Sequence, residues 1–178
     1  MDNRIKSVCF SGHRTENLPK SPNAFLNLKN DIYNKIEELI KEGFDTFYFG
    51  ACYGYDMMCA ESVIELKRKY ANVKLIAVVP FVGQEEKWSD DLKLQYKMIL
   101  YRCNEVVILN EQYKRGCYFE RNRYIVDRSS VLVCYFKPYK SGGTRYTVNY
   151  ALQNNRNVIN LYKKWNDGFW NIALYLYS

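Results

Sequence analysis

Apolar runs of five to seven residues alternate with helix-period segments along the whole chain, and this alternation most limits what the chain can fold into. The runs lie at residues 5–10, 44–49, 73–79, 105–109, 130–136 and 157–161. Strands that alternate with helices form a mostly parallel sheet with helices on both faces, joined by right-handed crossovers. The expected fold is α/β, a Rossmann-like, mostly parallel sheet of about six strands. It forms a single domain over residues 1–178, with no repeat and no linker. The run at 73–79 (VKLIAVV) is apolar almost throughout, as suits a strand covered on both faces.

The helices announce their ends. Ser21-Pro22 is a start, with Ser as N-cap and Pro in the first turn, and Phe25, Leu28, Ile32, Ile36, Leu39 and Ile40 then recur at helical steps until Glu42-Gly43. Further helices are expected from Tyr55 to about residue 70, after the cap Ser89-Asp90-Asp91, over residues 117–127 and from Thr144 to about residue 153. In the last of these Thr144 is the expected N-cap. A final helix capped by Asp167 would carry Trp170, Ile172, Ala173 and Leu176.

The second run feeds the most informative stretch, residues 47–61, FYFGACYGYDMMCAE. A strand that ends in glycines and enters a helix can make an anion pocket, because backbone N–H groups approach a phosphate with no Cβ in the way and the helix start is partly positive. Gly50 and Gly54 would give that approach, and Asp56 would either cap the helix or bind ribose hydroxyls. The glycines are four apart, so neither the dinucleotide fingerprint nor the P-loop is present. The first strand ends in Ser11-Gly12-His13-Arg14: His13 is a candidate general base or phosphate donor, and the donor fork of Arg14 suits phosphate oxygens. Gly142 and Gly143 mark a third such turn. If the strand order resembles 3-2-1-4-5-6, the first and fourth strands flank the ligand crevice, and the glycine turns share its rim.

The net charge of +7 is uneven: residues 110–164 hold eleven Lys/Arg against three Asp/Glu, a net +8. That half implies an anionic partner. Six cysteines contain no C-x-x-C and there is one histidine, so no metal site is expected and the thiols should be free. No run is long and apolar enough for a membrane span, and the first residues carry no targeting composition, so a cytoplasmic location is expected.

Five fragments occur in a familiar order: SGHR, GACYGYDMMCAE, PFVGQEEKW, RNRYIVDRSS and SGGTRYTVNYA. Together they resemble the YpsA-like branch of the SLOG superfamily, a Rossmann-like group that includes the LOG enzymes and the DprA core. The resemblance implies a pocket for a nucleotide or an NAD- or ADP-ribose-like molecule. By position, that pocket would use Gly12, His13 and Arg14, then Gly50, Gly54 and Asp56, then Gly142, Gly143 and Thr144; Gln84, Trp88, Arg121 and Asn122 match the motifs between. The family pattern has a second Gly after Gly50 and a Leu two places on, where this chain has Ala51 and Tyr53. LOG enzymes carry a glutamate three residues after the threonine of P-G-G-x-G-T, and here that place is Thr147.

The resulting expectation is a cytoplasmic binding protein or sensor for an anionic small molecule of the nucleotide or NAD/ADP-ribose class, with no metal and no certain cofactor. The alternatives are a LOG-like hydrolase of nucleotide N-glycosidic bonds, with Asp56 or His13 as catalytic candidates and Glu61 as another stand-in, and a DprA-like binder of single-stranded nucleic acid. Nucleic acid ranks behind the small molecule as partner, no membrane is expected, and a homo-oligomer is left open.

Overall fold

The computed structural model describes residues 3–162. The expected final helix, with Asp167, Trp170, Ile172, Ala173 and Leu176, lies outside the described residues. Within them the order is β1 (Ser7–Gly12), α1 (Pro22–Lys41), β2 (Thr46–Phe49), α2 (Tyr55–Leu66), β3 (Lys74–Val79), α3 (Asp90–Arg102), β4 (Glu105–Ile108), α4 (Cys117–Asp127), β5 (Val131–Tyr135), α5 (Gly143–Gln153) and β6 (Asn157–Asn160). All neighbouring strands are parallel, in the order β4-β3-β2-β1-β5-β6.

This order corrects the expected one. The fourth strand is an edge strand beside β3, and the fifth strand stands next to the first. The reversal of strand order, where ligands bind in open α/β sheets, therefore falls between β1 and β5. Two boundaries also move. Residues 3–6 form a 3-10 turn before β1, and α2 stops at Leu66 rather than near residue 70.

Period-2 alternation sorts the strand side chains into two cores. Val8, Phe10, Leu75, Ala77, Val79, Val131 and Val133 face α1, α2 and α3, against Ile32, Ile36, Met57, Tyr96 and Ile99. Cys9, Ile76, Val78, Leu132 and Cys134 face α4 and α5, against Ile125, Val126, Val148 and Ala151. All six cysteines are free thiols, five of them buried. None of the described helices is long and apolar enough to cross a membrane.

The α1 boundaries follow the sequence. Ser21 accepts a hydrogen bond from the Ala24 N–H at 3.3 Å, and Gly43 takes a φ of +100° while the Phe44 N–H returns to the Leu39 carbonyl at 3.0 Å. Replacing Ser21 with Ala should lower the unfolding free energy by about 1 kcal/mol, read from urea denaturation.

Candidate functional site

Three hydrogen bonds, and the packing of α4 along α5, tie the loops at the carboxyl edge of the sheet into one rim. The His13 carbonyl accepts from the Tyr55 N–H at 3.2 Å, joining the β1 loop to the start of α2. The His13 ring is buried, and its Nε2 accepts from the Lys137 N–H at 3.2 Å, joining the β1 loop to the β5 loop across the reversal point. Burial, then the charges of Lys137 and Lys140, hold the His13 pKa below its ordinary value, in keeping with a ring nitrogen that accepts. Arg121 of α4 donates from Nη1 to the Gly50 carbonyl, and α4 packs along α5, with Asn122 Nδ2 3.8 Å from where a Cβ on Gly143 would stand. The candidate residues of the three turns therefore belong to one cluster.

Much of that cluster is packed by the chain's own side chains. A Cβ on Gly12 would fall within the Tyr55 ring, and one on Gly50 would fall within the Arg121 guanidinium and 2.8 Å from Asp56 Oδ2. Gly54 has a φ of +91° and lies so close to the β1 loop that a Cβ would sit 2.7 Å from the Thr15 nitrogen. These three glycines are required by packing within the protein.

Asp56 lies in the first turn of α2 but does not cap it. The N-cap is Gly54, with no side-chain hydrogen bond. The Asp56 carboxylate is buried and turns back under the loops. It takes hydrogen bonds from the backbone of Gly50, Gly12 and Cys52, with Arg121 Nη1 at 3.9 Å from Oδ2. Burial pushes its pKa up to about 6, against the pull of Arg121 and of those N–H groups. Arg121 is buried as well, and its Nε donates to Asn122 Oδ1 at 2.7 Å. Its charge partner is thus Asp56; Glu120 is paired instead with Lys114 at 3.0 Å.

Gln84 and Trp88 support the β2 loop from behind. Buried Gln84 donates from Nε2 to the Ala51 carbonyl at 2.9 Å and to Tyr96 Oη at 3.3 Å. Trp88 meets Tyr53 edge-to-face at 5.1 Å and Tyr96 at 5.4 Å. Ala51, where the family pattern has glycine, holds a φ of +52°, a conformation that glycine adopts at lower cost. Exposed Arg14 lies over the Tyr53 ring at 5.1 Å, with Nη1 3.4 Å from Tyr53 Oη. Glu61 is turned away and accepts from Gln95 Nε2 at 2.7 Å.

The open part of the rim is the start of α5. Its N-cap is Gly142, not Thr144, with φ +119° and no side-chain cap. A side chain at Gly142 would meet nothing within 4 Å, and one at Gly143 would meet only Asn122 Nδ2 at 3.8 Å. Thr144 is buried in the first turn. The preceding loop is braced by Arg145, which donates to the Pro138 and Lys140 carbonyls. Lys137 lies 5.9 Å from the ring centres of both Tyr135 and Tyr162. Sequence reasoning missed Tyr53, Tyr55 and Lys137 as parts of the rim. The two tyrosines flank Gly54 and could have been noticed there; no local signal ties Lys137 to His13.

Comparison with known proteins agrees with this architecture. A family model described as the YspA SLOG family (YpsA) matches residues 8–163. The SPbeta prophage-derived protein YoqJ of Bacillus subtilis (strain 168) is 33% identical over 145 residues, covering 74% of this chain and 84% of YoqJ. Among solved structures, DNA processing protein A (DprA) from Streptococcus pneumoniae superposes with a TM-score of 0.60 at 18% identity, over 93% of this chain and 53% of that one. This chain thus spans about half the length of that protein. DNA processing protein A from Helicobacter pylori, which has a single-stranded DNA binding mode, gives the same TM-score and identity, over 92% of this chain and 68% of that one. At such identity the likeness to both structures is one of fold.

Proposed function

Because the chain belongs to the YspA SLOG family, we propose that it binds a nucleotide or an NAD- or ADP-ribose-like molecule at the carboxyl rim of its sheet, with a phosphate at the first turn of α5. The start of α5 carries this reading. Helices α1 and α3 satisfy a first-turn N–H with Ser21 and Ser89, whereas α2, α4 and α5 begin on a glycine with no side-chain cap. Gly54 of α2 is packed against the β1 loop and Gly116 of α4 follows the edge strand β4, while Gly142 has open space and follows β5 at the reversal point. First-turn N–H groups need an acceptor, and a phosphate matches both their geometry and the positive end of the helix dipole. Arg14 and Lys137 add positive charge along the same rim.

A LOG-like cleavage of the N-glycosidic bond is less well supported. Thr147 stands where a LOG enzyme has its glutamate, and its hydroxyl donates to the Gly143 carbonyl at 2.8 Å. Asp56 is held by backbone N–H groups beneath the rim. Calorimetry with AMP, ADP-ribose and NAD tests the proposal. At least one should bind at micromolar concentration, and Arg14→Ala should weaken it about five- to tenfold, as expected for one charge-assisted contact. No binding below millimolar, with Arg14→Ala indistinguishable from wild type, removes the reading. Chromatography of the same mixtures for released base separates binding from hydrolysis.

A second reading, single-stranded nucleic acid, is favoured by the fold shared with the Helicobacter pylori protein and by one surface. On α4 and α5, exposed Phe119 meets Tyr146 at 4.6 Å, Tyr146 stacks on Tyr150, and Arg123 donates to Tyr146 Oη at 2.8 Å. Aromatic rings beside arginines can stack on bases. Binding of an oligonucleotide that falls steeply with salt would support this reading, and no gel shift at low salt would end it.

A further inference from the structure

We propose that α2 and α3 form the surface through which this chain associates with a second copy of itself, across a two-fold axis. Helix α3 buries Tyr96 and Ile99 in the core, yet its outer face carries Leu94, Met98 and Tyr101 at steps of four and three residues, 61%, 56% and 91% exposed. These form a stripe along one helical face. Beside it, between α2 and α3, runs an open groove of about 490 Å³, with Ile64 and Ile99 among its lining residues. At the sheet edge next to this layer, Val106 and Ile108 of β4 are also exposed. They pair with Ala77 and Val79, so they point to the side of the sheet that α3 covers. A contiguous apolar stripe beside a groove marks an interaction surface, where scattered single residues would not.

The charges on the groove indicate what fills it. Each helix follows a strand of a parallel sheet, so α2 and α3 run in the same direction. Glu61 and Gln95 are hydrogen bonded at one level, and Asp91 lies one turn earlier on α3. At the other end Lys67 donates to the Arg102 carbonyl at 3.0 Å, which brings Arg68 and Arg102 together. Glu65 follows one turn after Glu61 on α2, so carboxylates line the first part of the groove and the two arginines close its far end. A surface of this kind is complementary to its own copy turned through 180°: the acidic end of each meets the basic end of the other, and the two Leu94–Met98–Tyr101 stripes meet in the middle. That is the self-complementarity an isologous two-fold contact requires.

Sedimentation velocity on the full chain tests this. The wild type should run at twice the chain mass at about 100 µM, within reach of a modest interface. Met98→Glu should weaken association at least tenfold, with the far-UV circular dichroism spectrum unchanged because Met98 is exposed. Two charge-converted variants give the decisive result. Arg68→Glu/Arg102→Glu has acid at both ends and Glu61→Lys/Asp91→Lys has base at both. Each alone should be monomeric, and an equimolar mixture should return to the dimer mass. A monomeric wild type at that concentration overturns the proposal. So does a Met98→Glu protein that associates like wild type, or a mixture that stays monomeric.

Discussion

Replacing Arg121 with Leu should destabilise the fold by about 3–5 kcal/mol, because it leaves a buried carboxylate without its charge partner. The guanidinium is buried in the rim, where it donates to the Gly50 carbonyl and to Asn122 Oδ1 and faces Asp56 Oδ2 at 3.9 Å. Leucine supplies none of these donors. The loss should depend on pH. In the folded protein Asp56 is raised from 3.8 to about 6, first by burial. An acid whose folded pKa is raised takes up its proton before the unfolded chain does. Its contribution to stability is thus fully present below about pH 4 and is lost as pH rises toward 6. Without the guanidinium that pulls it down, the folded pKa rises further, and the loss extends beyond pH 6. Urea denaturation should therefore show a wider gap between wild type and Arg121→Leu at pH 8 than at pH 5, and adding Asp56→Asn should remove that difference. An equal gap at both pH values would mean that Arg121 acts through packing alone.

The order and type of the elements could be read from the sequence because periodicity and caps are local. Ser21-Pro22 and Glu42-Gly43 bound α1, and alternation fixes which side of β3 each residue takes. Strand order could not be read the same way. Nothing within EVVI says that β4 lies at an edge; that depends on the long return through α4, which carries the chain from β4 past β3, β2 and β1 to β5. The rim was legible in outline, since glycines mark the ends of β1, β2 and β5. What each glycine is for was not. Gly12 and Gly50 make room for Tyr55 and Arg121, and the Arg121 contact spans 71 residues. Gly142 alone of those three sites has open space beside it. Asp56 shows the same limit: its place after Gly54 suggests a cap, but its hydrogen bonds come from loops far apart in sequence.

Gly143→Asp should separate a ligand site from a merely tolerant helix start. Gly143 is the first residue of α5, its φ is outside the left-handed region, and a Cβ there would meet only Asn122 Nδ2 at ordinary contact distance. An aspartate fits, and by itself it improves the helix. A carboxylate in the first turn is worth about 0.3–1 kcal/mol against the dipole, and loss of glycine from the helix adds to that. The thermal midpoint should stay level or rise. A phosphate at the same N–H groups would meet a negative charge at about 5 Å, which at an effective dielectric of roughly 20–40 costs about 2–3 kcal/mol, a loss of roughly 30- to 150-fold in affinity. Calorimetry and thermal unfolding on one preparation then report opposite changes. Neutral Gly143→Asn keeps the shape without the charge and should retain most of the binding. If Gly143→Asp binds AMP, ADP-ribose or NAD as tightly as wild type, the phosphate does not sit at α5, and the rim would hold its ligand through Arg14 and Lys137 alone.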